Sequence, residues 1–229
     1  MALAKLENIQ KIYSIGKIDF PALRDISFSL EKGEFLSIAG PSGSGKTTVL
    51  NILGCLDKPT SGKVYMEDKN ITHYPTSKLA DIRRSKIGFI FQTFNLIPVL
   101  TAIENVTLPL ILEGTKEQKK RNQRAEEILT EVGLGDFLHR RPSELSGGQQ
   151  QRVAIARALV KKPKFVLADE PTANLDSKNG KEILDIMLEL NQKTATTFVF
   201  SSHDRMVIDF ARRVIKLRDG RIESDEMVS

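Results

Sequence analysis

The chain has 229 residues, 40% of them hydrophobic, a composition that allows one substantial buried core and excludes the disordered and fibrous classes. Its single cysteine, Cys55, excludes an internal disulfide, and with three histidines a structural zinc site is not expected, which fits a reducing compartment. The net charge of +5 suits polyanionic partners such as nucleotide phosphates, nucleic acid or an anionic membrane face, without choosing among them.

The first third of the chain predicts strands. Alternating apolar runs at 3–9 and 23–30, with a shorter run at 64–66, are typical of an antiparallel sheet. An uninterrupted apolar run at 35–39 predicts a strand that is buried on both faces. We therefore expect an antiparallel sheet that is layered beside a buried core.

Residues 40–47 fit the pattern G-x-x-x-x-G-K-[ST] between this buried strand and a helix-like run at 48–53, a setting typical of a phosphate-binding P-loop. The glycines let backbone N–H groups turn inward, Lys46 reaches the outer phosphates, and Thr47 offers a hydroxyl to Mg²⁺. The alternative is a Gly/Ser-rich turn with an incidental lysine. The predicted nucleotide-binding residues are Gly40, Pro41, Ser42, Gly43, Ser44, Gly45, Lys46, Thr47 and Thr48.

The middle of the chain, from 77 to about 159, predicts mainly helices separated by Gly and Pro residues. Its basic stretch at 116–124 leads into an apolar-periodic segment, which predicts an amphipathic helix with a solvated face. A nucleic-acid patch is the alternative, but no aromatic residues are interleaved for base stacking. The longest uncharged run, 87–103, contains Gln92 and Pro98 and predicts a strand with a loop, not a membrane span.

A second glycine motif, Leu-Ser-Gly-Gly-Gln at 145–149, precedes an apolar-periodic run at 153–160. Ser146 is a good N-cap, and the glycines leave the N–H groups of a helix start open to an anion. Because the P-loop already binds one nucleotide, the γ-phosphate for this site has to come from elsewhere, and a second copy of the chain can supply it. A capped helix without a ligand is the alternative.

An acidic pair, Asp169-Glu170, follows an apolar run at 165–168, which places two carboxylates at the carboxyl end of a predicted parallel strand. Asp169 is suited to hold Mg²⁺, and Glu170 is placed to orient and deprotonate a water that attacks the γ-phosphate. The alternative is that the pair only caps a helix.

The remaining pattern completes an α/β fold. An apolar run at 197–200 predicts another buried strand, and Asp219-Gly220 predicts a hairpin near the end of the chain. We predict a single domain with a P-loop NTPase core, a mostly parallel sheet, an N-terminal antiparallel β subdomain and an inserted helical subdomain. The expected boundaries are 1–92 and 160–229 for the core with its β layer, and 93–159 for the helical subdomain.

Taken together, the P-loop, the motif at 145–149 and the acidic pair resemble those of the ATP-binding subunits of ABC transporters, and the resemblance covers nearly the whole chain. It implies the ABC ATPase fold, binding of ATP and Mg²⁺, and hydrolysis between two head-to-tail copies. The motif at 145–149 becomes the signature that faces the nucleotide of the other copy. Its implied nucleotide-binding residues are Ser146, Gly147, Gly148 and Gln149.

The resemblance also implies roles for residues whose local pattern is less specific. Gln92 matches the loop glutamine that touches Mg²⁺ and the attacking water and senses the membrane subunit, and Tyr13 matches the aromatic residue that stacks on adenine. His203 matches the switch histidine at the γ-phosphate, where an imidazole can donate to an oxyanion. Asp176 belongs to the loop at 173–176, which crosses the dimer interface in this family.

Two further segments, 54–60 and 91–110, resemble one branch of the family. That branch includes the ATPases of lipoprotein-releasing complexes, those of macrolide and peptide exporters, and the cell-division ATPase. They act by mechanotransmission on a permease with a large extracytoplasmic domain. The lipoprotein-releasing type usually carries a histidine-containing sequence after the loop glutamine, whereas this chain has Thr93-Phe94-Asn95.

The predicted function is therefore Mg-dependent ATP hydrolysis that powers an integral-membrane permease, docked near Gln92 and the loop through Asn105. The expected partners are a second copy on ATP binding and the permease subunits, with no nucleic acid. The alternative is a regulatory or structural module of the cell-division type, without transport. No N-terminal segment has the pattern of a secretory signal, so we expect a cytoplasmic protein that is peripheral on the cytoplasmic face of the inner (plasma) membrane.

Overall fold

Two β-sheets and seven α-helices form the computed structural model, which describes residues 2–16 and 18–228. The strands are β1 (Ala4–Ile15), β2 (Ile18–Leu30), β3 (Phe35–Ala39), β4 (Ser61–Met66), β5 (Lys69–Asn70), β6 (Ile87–Ile90), β7 (Phe165–Asp169), β8 (Thr197–Ser202), β9 (Arg213–Arg218) and β10 (Arg221–Met227). The helices are α1 (Lys46–Leu53), α2 (Thr76–Lys86), α3 (Ala102–Leu112), α4 (Gln118–Glu131), α5 (Gly147–Leu159), α6 (Ser177–Thr194) and α7 (Arg205–Phe210).

The smaller sheet is antiparallel, in the order β2-β1-β4-β5, as the alternating pattern predicts. Strands β1 and β2 extend beyond the predicted runs into a two-stranded ribbon, in which Tyr13 pairs with Phe20. Both of these aromatic side chains are exposed. The sequence pattern did not show this extension, because a ribbon without a buried face has no apolar alternation.

The larger sheet has the order β10-β9-β3-β8-β7-β6. Its strands β9, β3, β8, β7 and β6 are parallel, and β10 returns antiparallel to β9 through the predicted hairpin at Asp219-Gly220. The predicted α/β class with a mostly parallel core sheet and an antiparallel N-terminal sheet is therefore confirmed.

Side chains on β7 alternate between two apolar layers. Phe165 and Leu167 belong to the layer that also contains α1 and the antiparallel sheet, whereas Val166 and Ala168 belong to the layer with α3 to α6. Burial on both faces explains why this strand is a continuous apolar run in the sequence. Cys55 is buried in the first layer.

Helices α3, α4 and α5 lie between β6 and β7 in the sequence. The predicted amphipathic helix is α4, which buries Ala125 and Leu129 and exposes Lys119 and Lys120, with Arg121 and Arg124 half-buried. Helix α2 precedes β6, a strand of the core sheet, so the helical pattern is interrupted there; the division at 93 and 159 stays a prediction. No helix in the described part of the chain is long and apolar enough to cross a membrane.

Candidate active site

The loop between β3 and α1 follows a path that glycine alone allows at two positions. Gly40 has φ +155°, and a Cβ there would lie 2.2 Å from the Leu217 carbonyl oxygen. Gly45 has φ +105°, and a Cβ there would lie 2.8 Å from the Ala22 carbonyl oxygen. The glycines of the P-loop pattern therefore let the loop curl tightly against its neighbours.

Lys46, the first residue of α1, crosses this loop. Its Nζ donates hydrogen bonds to the carbonyl oxygens of Gly40 at 2.8 Å and Pro41 at 3.0 Å, and the residue is 7% exposed. Helix α1 has no side-chain cap at its N-terminus. Its first N–H groups and the Lys46 ammonium together form a positive site for phosphate oxygens.

The carboxyl end of β7 brings an acidic group to the P-loop. The Thr47 hydroxyl lies 3.3 Å from each carboxyl oxygen of Asp169. The main chain of Gln92 is fixed nearby by Asn174, whose side-chain amide donates to the Gln92 carbonyl oxygen at 2.8 Å. Hydroxyl, carboxylate and amide oxygens are ligands that Mg²⁺ accepts.

Glu170 sits in a left-handed backbone conformation, with φ 46°. Its N–H donates to the Ser201 carbonyl oxygen, which holds the turn in place. Its carboxylate accepts a hydrogen bond from the Ser202 hydroxyl at 2.9 Å and lies 2.7 Å from Nδ1 of His203. Because an ionised carboxylate only accepts, this contact requires a hydrogen on Nδ1.

These groups surround a cavity of about 400 Å³. It brings together ten of the predicted residues: Ser42, Gly43, Gly45, Lys46, Thr47, Thr48, Gln92, Asp169, Glu170 and His203. Ala173, from the predicted interface loop at 173–176, also lines it, as does Ala22, which was not predicted. Gly40 and Pro41 line a second cavity that shares His203, and Ser44 is buried.

Tyr13 lies outside the residues that line this cavity. Its hydroxyl donates to Asp57 at 2.8 Å, and its side chain remains partly exposed. Burial and the bond to Asp57 raise the pKa of Tyr13, against a smaller opposing effect of the Thr48 hydroxyl, which does line the cavity. The exposed ring is thus held beside the P-loop helix.

The signature motif lies apart from this cavity. Ser146 is exposed and caps α5, where its hydroxyl accepts from the Gln149 N–H and its own N–H donates to Gln149 Oε1. Gly148 is buried, and a Cβ there would lie 2.9 Å from Asn179 Oδ1, so helix packing also requires this glycine. Asp176 is exposed and caps α6. Among the described residues that line the cavity, none belongs to the signature.

Two side chains that the sequence interpretation did not single out position the site. Ser202 holds the Glu170 carboxylate, and Arg157 donates to the carbonyl oxygens of Phe94 and Asn95, in the loop after Gln92. Ser202 could have been suspected from its place beside His203. Arg157 could not, because its partners are more than sixty residues away in the sequence.

Comparisons with known proteins agree with this fold and site. The family model described as "ABC transporter" matches residues 23–173. The chain is 47% identical to the lipoprotein-releasing system ATP-binding protein LolD of Aquifex aeolicus, over 96% of either protein. It is also 47% identical to part of the macrolide export ATP-binding/permease protein MacB of Syntrophobacter fumaroxidans, over 98% of this chain and 32% of that protein.

A solved structure extends this agreement. The ATP-binding cassette MJ0796 of Methanocaldococcus jannaschii, in a dimeric post-hydrolysis state bound to ADP and Pi, matches with a TM-score of 0.90. Its sequence is 48% identical, and the match covers 99% of both chains. The resemblance inferred from the motifs is thereby confirmed. The chain belongs to the ABC transporter family, of which it is an ATP-binding and ATP-hydrolysing cassette.

Proposed function

We propose that the chain powers a permease of the lipoprotein-release or export type by closing on ATP as a head-to-tail dimer. The observation that carries this proposal is the separation of Ser146 from the cavity of its own chain, described above. An exposed, capped helix start has open N–H groups that suit a γ-phosphate. In the dimer, that phosphate is presented by the P-loop of the second copy.

ATP drives closure in this proposal because it contacts both copies. A ligand shifts an equilibrium only through its different affinities for the two states, and a γ-phosphate between Lys46 of one copy and Ser146 of the other binds only the closed state fully. ADP lacks that phosphate and cannot bridge. The dimeric state of the MJ0796 cassette supports this arrangement.

The residues around Thr47 fit Mg²⁺. We assign Thr47, Asp169 and Gln92 as the side chains that would hold the ion, which when bound would offset the charge of the phosphates. Residues 2–16 and 18–228 contain no group of three or more His, Cys, Asp and Glu side chains able to enclose a metal. An ion here would therefore share its ligands between the protein and phosphate oxygens, as Mg²⁺ commonly does.

The proposed chemical roles follow from the hydrogen bonds at the end of β7. Glu170 accepts the proton of the attacking water, and Ser202 and His203 fix the orientation of its carboxylate. His203 donates Nε2–H to the γ-phosphate when its ring carries both hydrogens, with Nδ1–H remaining on Glu170. Asp176 and the signature residues act across the dimer interface, and Tyr13 stacks on adenine.

ATP-dependent dimerisation gives the first test. In a slowly hydrolysing Glu170→Gln background, Mg-ATP is expected to convert monomer into dimer, and ADP is not. Adding Ser146→Arg should prevent this, because the longer side chain fills the space of the γ-phosphate. Light scattering on folded variants measures the fraction of the chain that is dimeric.

The matched control is Ser143→Arg, three residues earlier and also exposed. It should dimerise like the Glu170→Gln parent. Loss of the Ser146 cap costs about 1 kcal/mol, so the melting temperature of each variant is recorded beside the scattering. A strict monomer at saturating ATP in the Glu170→Gln parent would contradict the head-to-tail dimer.

A groove next to the Gln92 loop supports the expected permease contact. Its volume is about 520 Å³, and its apolar lining includes Leu56, Phe89, Leu108 and Leu112. Four cationic side chains share it, Arg83, Arg84, Arg157 and Lys161, together with one carboxylate, Asp81, which pairs with Arg84. We propose that it takes an amphipathic cytoplasmic segment of the permease that carries an acidic residue.

Lys161 is the most informative of the cations. Burial lowers its pKa to about 8, with Glu113 opposing and Arg83 reinforcing this effect. Its Nζ donates to the carbonyl oxygens of Arg83 and Arg84 at the end of α2. A carboxylate from the permease would stabilise its charged form, which makes an acidic partner the better match.

The structure changes one detail of the expected contact. Asn105 is fully buried, and its amide nitrogen donates to the carbonyl oxygens of Ile97, Leu100 and Thr101. It therefore organises the loop and does not face a partner. Exposed apolar side chains on both sides of it include Ile97, Val99 and Leu112.

Permease coupling gives the second prediction. Leu112→Glu is expected to weaken permease binding by about 30-fold, corresponding to an interface residue worth about 2 kcal/mol. Its basal ATP hydrolysis without permease should stay at the parent rate. Ile111→Glu is the control, because Ile111 is exposed in the same helix but does not line the groove. Equal effects of the two variants would argue against the groove.

The branch proposal rests on sequence similarity to LolD and MacB, which are equally identical to this chain at 47%. Thr93-Phe94-Asn95 after Gln92 weighs against a lipoprotein substrate within that branch. Docking through the groove would place the chain on the cytoplasmic face of the membrane.

Co-purification from membranes identifies the permease. A partner complex that hydrolyses ATP without moving a substrate would favour the regulatory alternative.

A further inference from the structure

The loop after α1, residues 54–60, forms a hydrogen-bonded cluster with β1. Asp57 accepts from the Tyr13 hydroxyl through Oδ2 at 2.8 Å and from Lys11 Nζ through Oδ1 at 2.7 Å. Lys11 and Tyr13 are two residues apart on one strand, so both side chains reach the same loop. Each oxygen of the Asp57 carboxylate therefore holds one residue of β1.

Lys11 also covers the Tyr13 ring. Its Nζ lies 4.8 Å from the ring centroid, while it donates to Asp57 and to the Lys58 carbonyl oxygen. A cation over one face of an aromatic ring is attracted by the ring and leaves only the other face for a stacked group. The ring is thus fixed in position and open on one side.

Backbone hydrogen bonds connect this cluster to the P-loop helix. The Thr60 hydroxyl accepts from the Ile12 N–H at 3.0 Å, and the Thr60 N–H donates to the Gln10 carbonyl oxygen at 2.8 Å. At the other end of the loop, the Asp57 N–H donates to the Asn51 carbonyl oxygen, in α1. The Tyr13 ring and the phosphate-binding helix therefore belong to one connected unit.

The charge of Asp57 is maintained. Burial acts to raise the pKa of the Asp57 carboxyl group. The hydrogen bonds from Lys11, Tyr13 and the Lys58 N–H outweigh burial and hold this pKa below its ordinary value. Asp57 is thus an ionised acceptor at neutral pH. A hydrogen bond to an ionised acceptor is stronger than one between neutral groups.

We propose that Asp57 is a positioning residue for the base of the nucleotide, acting through the hydroxyl of Tyr13. It holds the ring in the orientation that a stacked adenine needs, and Lys11 blocks the opposite face. This inference rests on the proposed stacking role of Tyr13. Pre-organising the ring removes part of the entropy cost of binding, so the effect appears in affinity for the base and not for phosphate.

Binding of two probes by the full chain tests this. ATP contains the base, and inorganic tripolyphosphate contains only the phosphates. Asp57→Asn and Tyr13→Phe are each expected to weaken ATP binding by about fivefold to tenfold, because each weakens or removes the hydrogen bond to the charged acceptor. Tripolyphosphate affinity should stay within about twofold of the parent. Combining the two changes should add little, because both act on the same bond.

Asp19→Asn is the matched control. The Asp19 carboxylate also accepts from a hydroxyl on the same ribbon, that of Ser14, whereas the Tyr13 hydroxyl bonds to Asp57. This variant should keep the parent affinity for both probes. If Asp57→Asn weakened both probes equally, Asp57 would be a structural brace and the proposal would be wrong.

Tyr13→Ala separates this inference from the function on which it rests. If Tyr13→Ala weakens ATP binding but Asp57→Asn and Tyr13→Phe do not, the stacking role stands and the positioning role of Asp57 is overturned. If Tyr13→Ala leaves ATP binding unchanged, both roles are overturned. Tyr13→Phe keeps the test valid even where Asp57→Asn folds poorly.

Discussion

Glu170→Gln is expected to slow ATP hydrolysis by roughly 10²- to 10⁴-fold, the usual cost of losing a general base, while ATP binding persists. This corresponds to about 2.7 to 5.4 kcal/mol of activation free energy. The glutamine side chain keeps its length and can still hydrogen-bond to Ser202 and His203, the two partners of the carboxylate. It loses the basicity needed to accept a proton from water.

The measurement combines steady-state hydrolysis with the dimer population on one preparation. A variant that binds ATP without hydrolysing it should accumulate the closed dimer, whereas a misfolded variant would lose both properties. Glu182→Gln is the control, because Glu182 pairs with Arg152 away from the cavity. If Glu170→Gln hydrolyses ATP at the parent rate, the water is activated by another group, and His203 is the next candidate.

The fold was predictable where burial imposes a pattern of apolar residues on the sequence. Strands β7 and β8 contain the uninterrupted apolar runs 165–168 and 198–200 because both faces are covered, and the P-loop pattern predicted the order of strand, loop and helix around Lys46. The extended ends of β1 and β2 were not predictable, because an exposed ribbon obeys no burial pattern.

The site was predictable only where its chemistry is local in sequence. The predicted roles of Lys46 and Glu170 follow from the chemistry of the sequence motifs that contain them. The predicted roles of Tyr13 and Gln92 came from resemblance to a family. Contacts between distant residues left no sequence signal: Asn174 meets the Gln92 carbonyl across 82 positions, and Tyr13 meets Asp57 across 44. Such pairs depend on the folded topology, which a single sequence does not reveal.

Lys46→Ala is expected to lower ATP affinity by roughly 10²- to 10⁴-fold. In the proposed site the Lys46 ammonium donates to the outer phosphates, and each hydrogen bond to a charged group contributes about 1.5–3 kcal/mol. Two such bonds sum to about 3–6 kcal/mol, and each 1.4 kcal/mol is a factor of ten in affinity. Nucleotide titration of the folded variant measures the loss, and near-normal affinity would remove Lys46 from this role.

The fold should tolerate this change. Lys46 Nζ contacts the Gly40 and Pro41 carbonyl oxygens at the loop, and water can replace it there. The apolar neighbours of α1, such as Val49 and Leu53, stay in place. Lys120→Ala is the control, since Lys120 is exposed on α4 and pairs only with Glu117 among the described residues.

Lys46→Ala and Asp57→Asn should differ in which probe they affect. Because Lys46 acts on phosphate, its loss should weaken ATP and tripolyphosphate alike, whereas Asp57→Asn should weaken ATP alone. This difference in tripolyphosphate binding would divide the nucleotide site into a phosphate half, built on α1, and a base half, built on β1. If Lys46→Ala left tripolyphosphate binding intact, the lysine would act on the loop conformation and not on the phosphates.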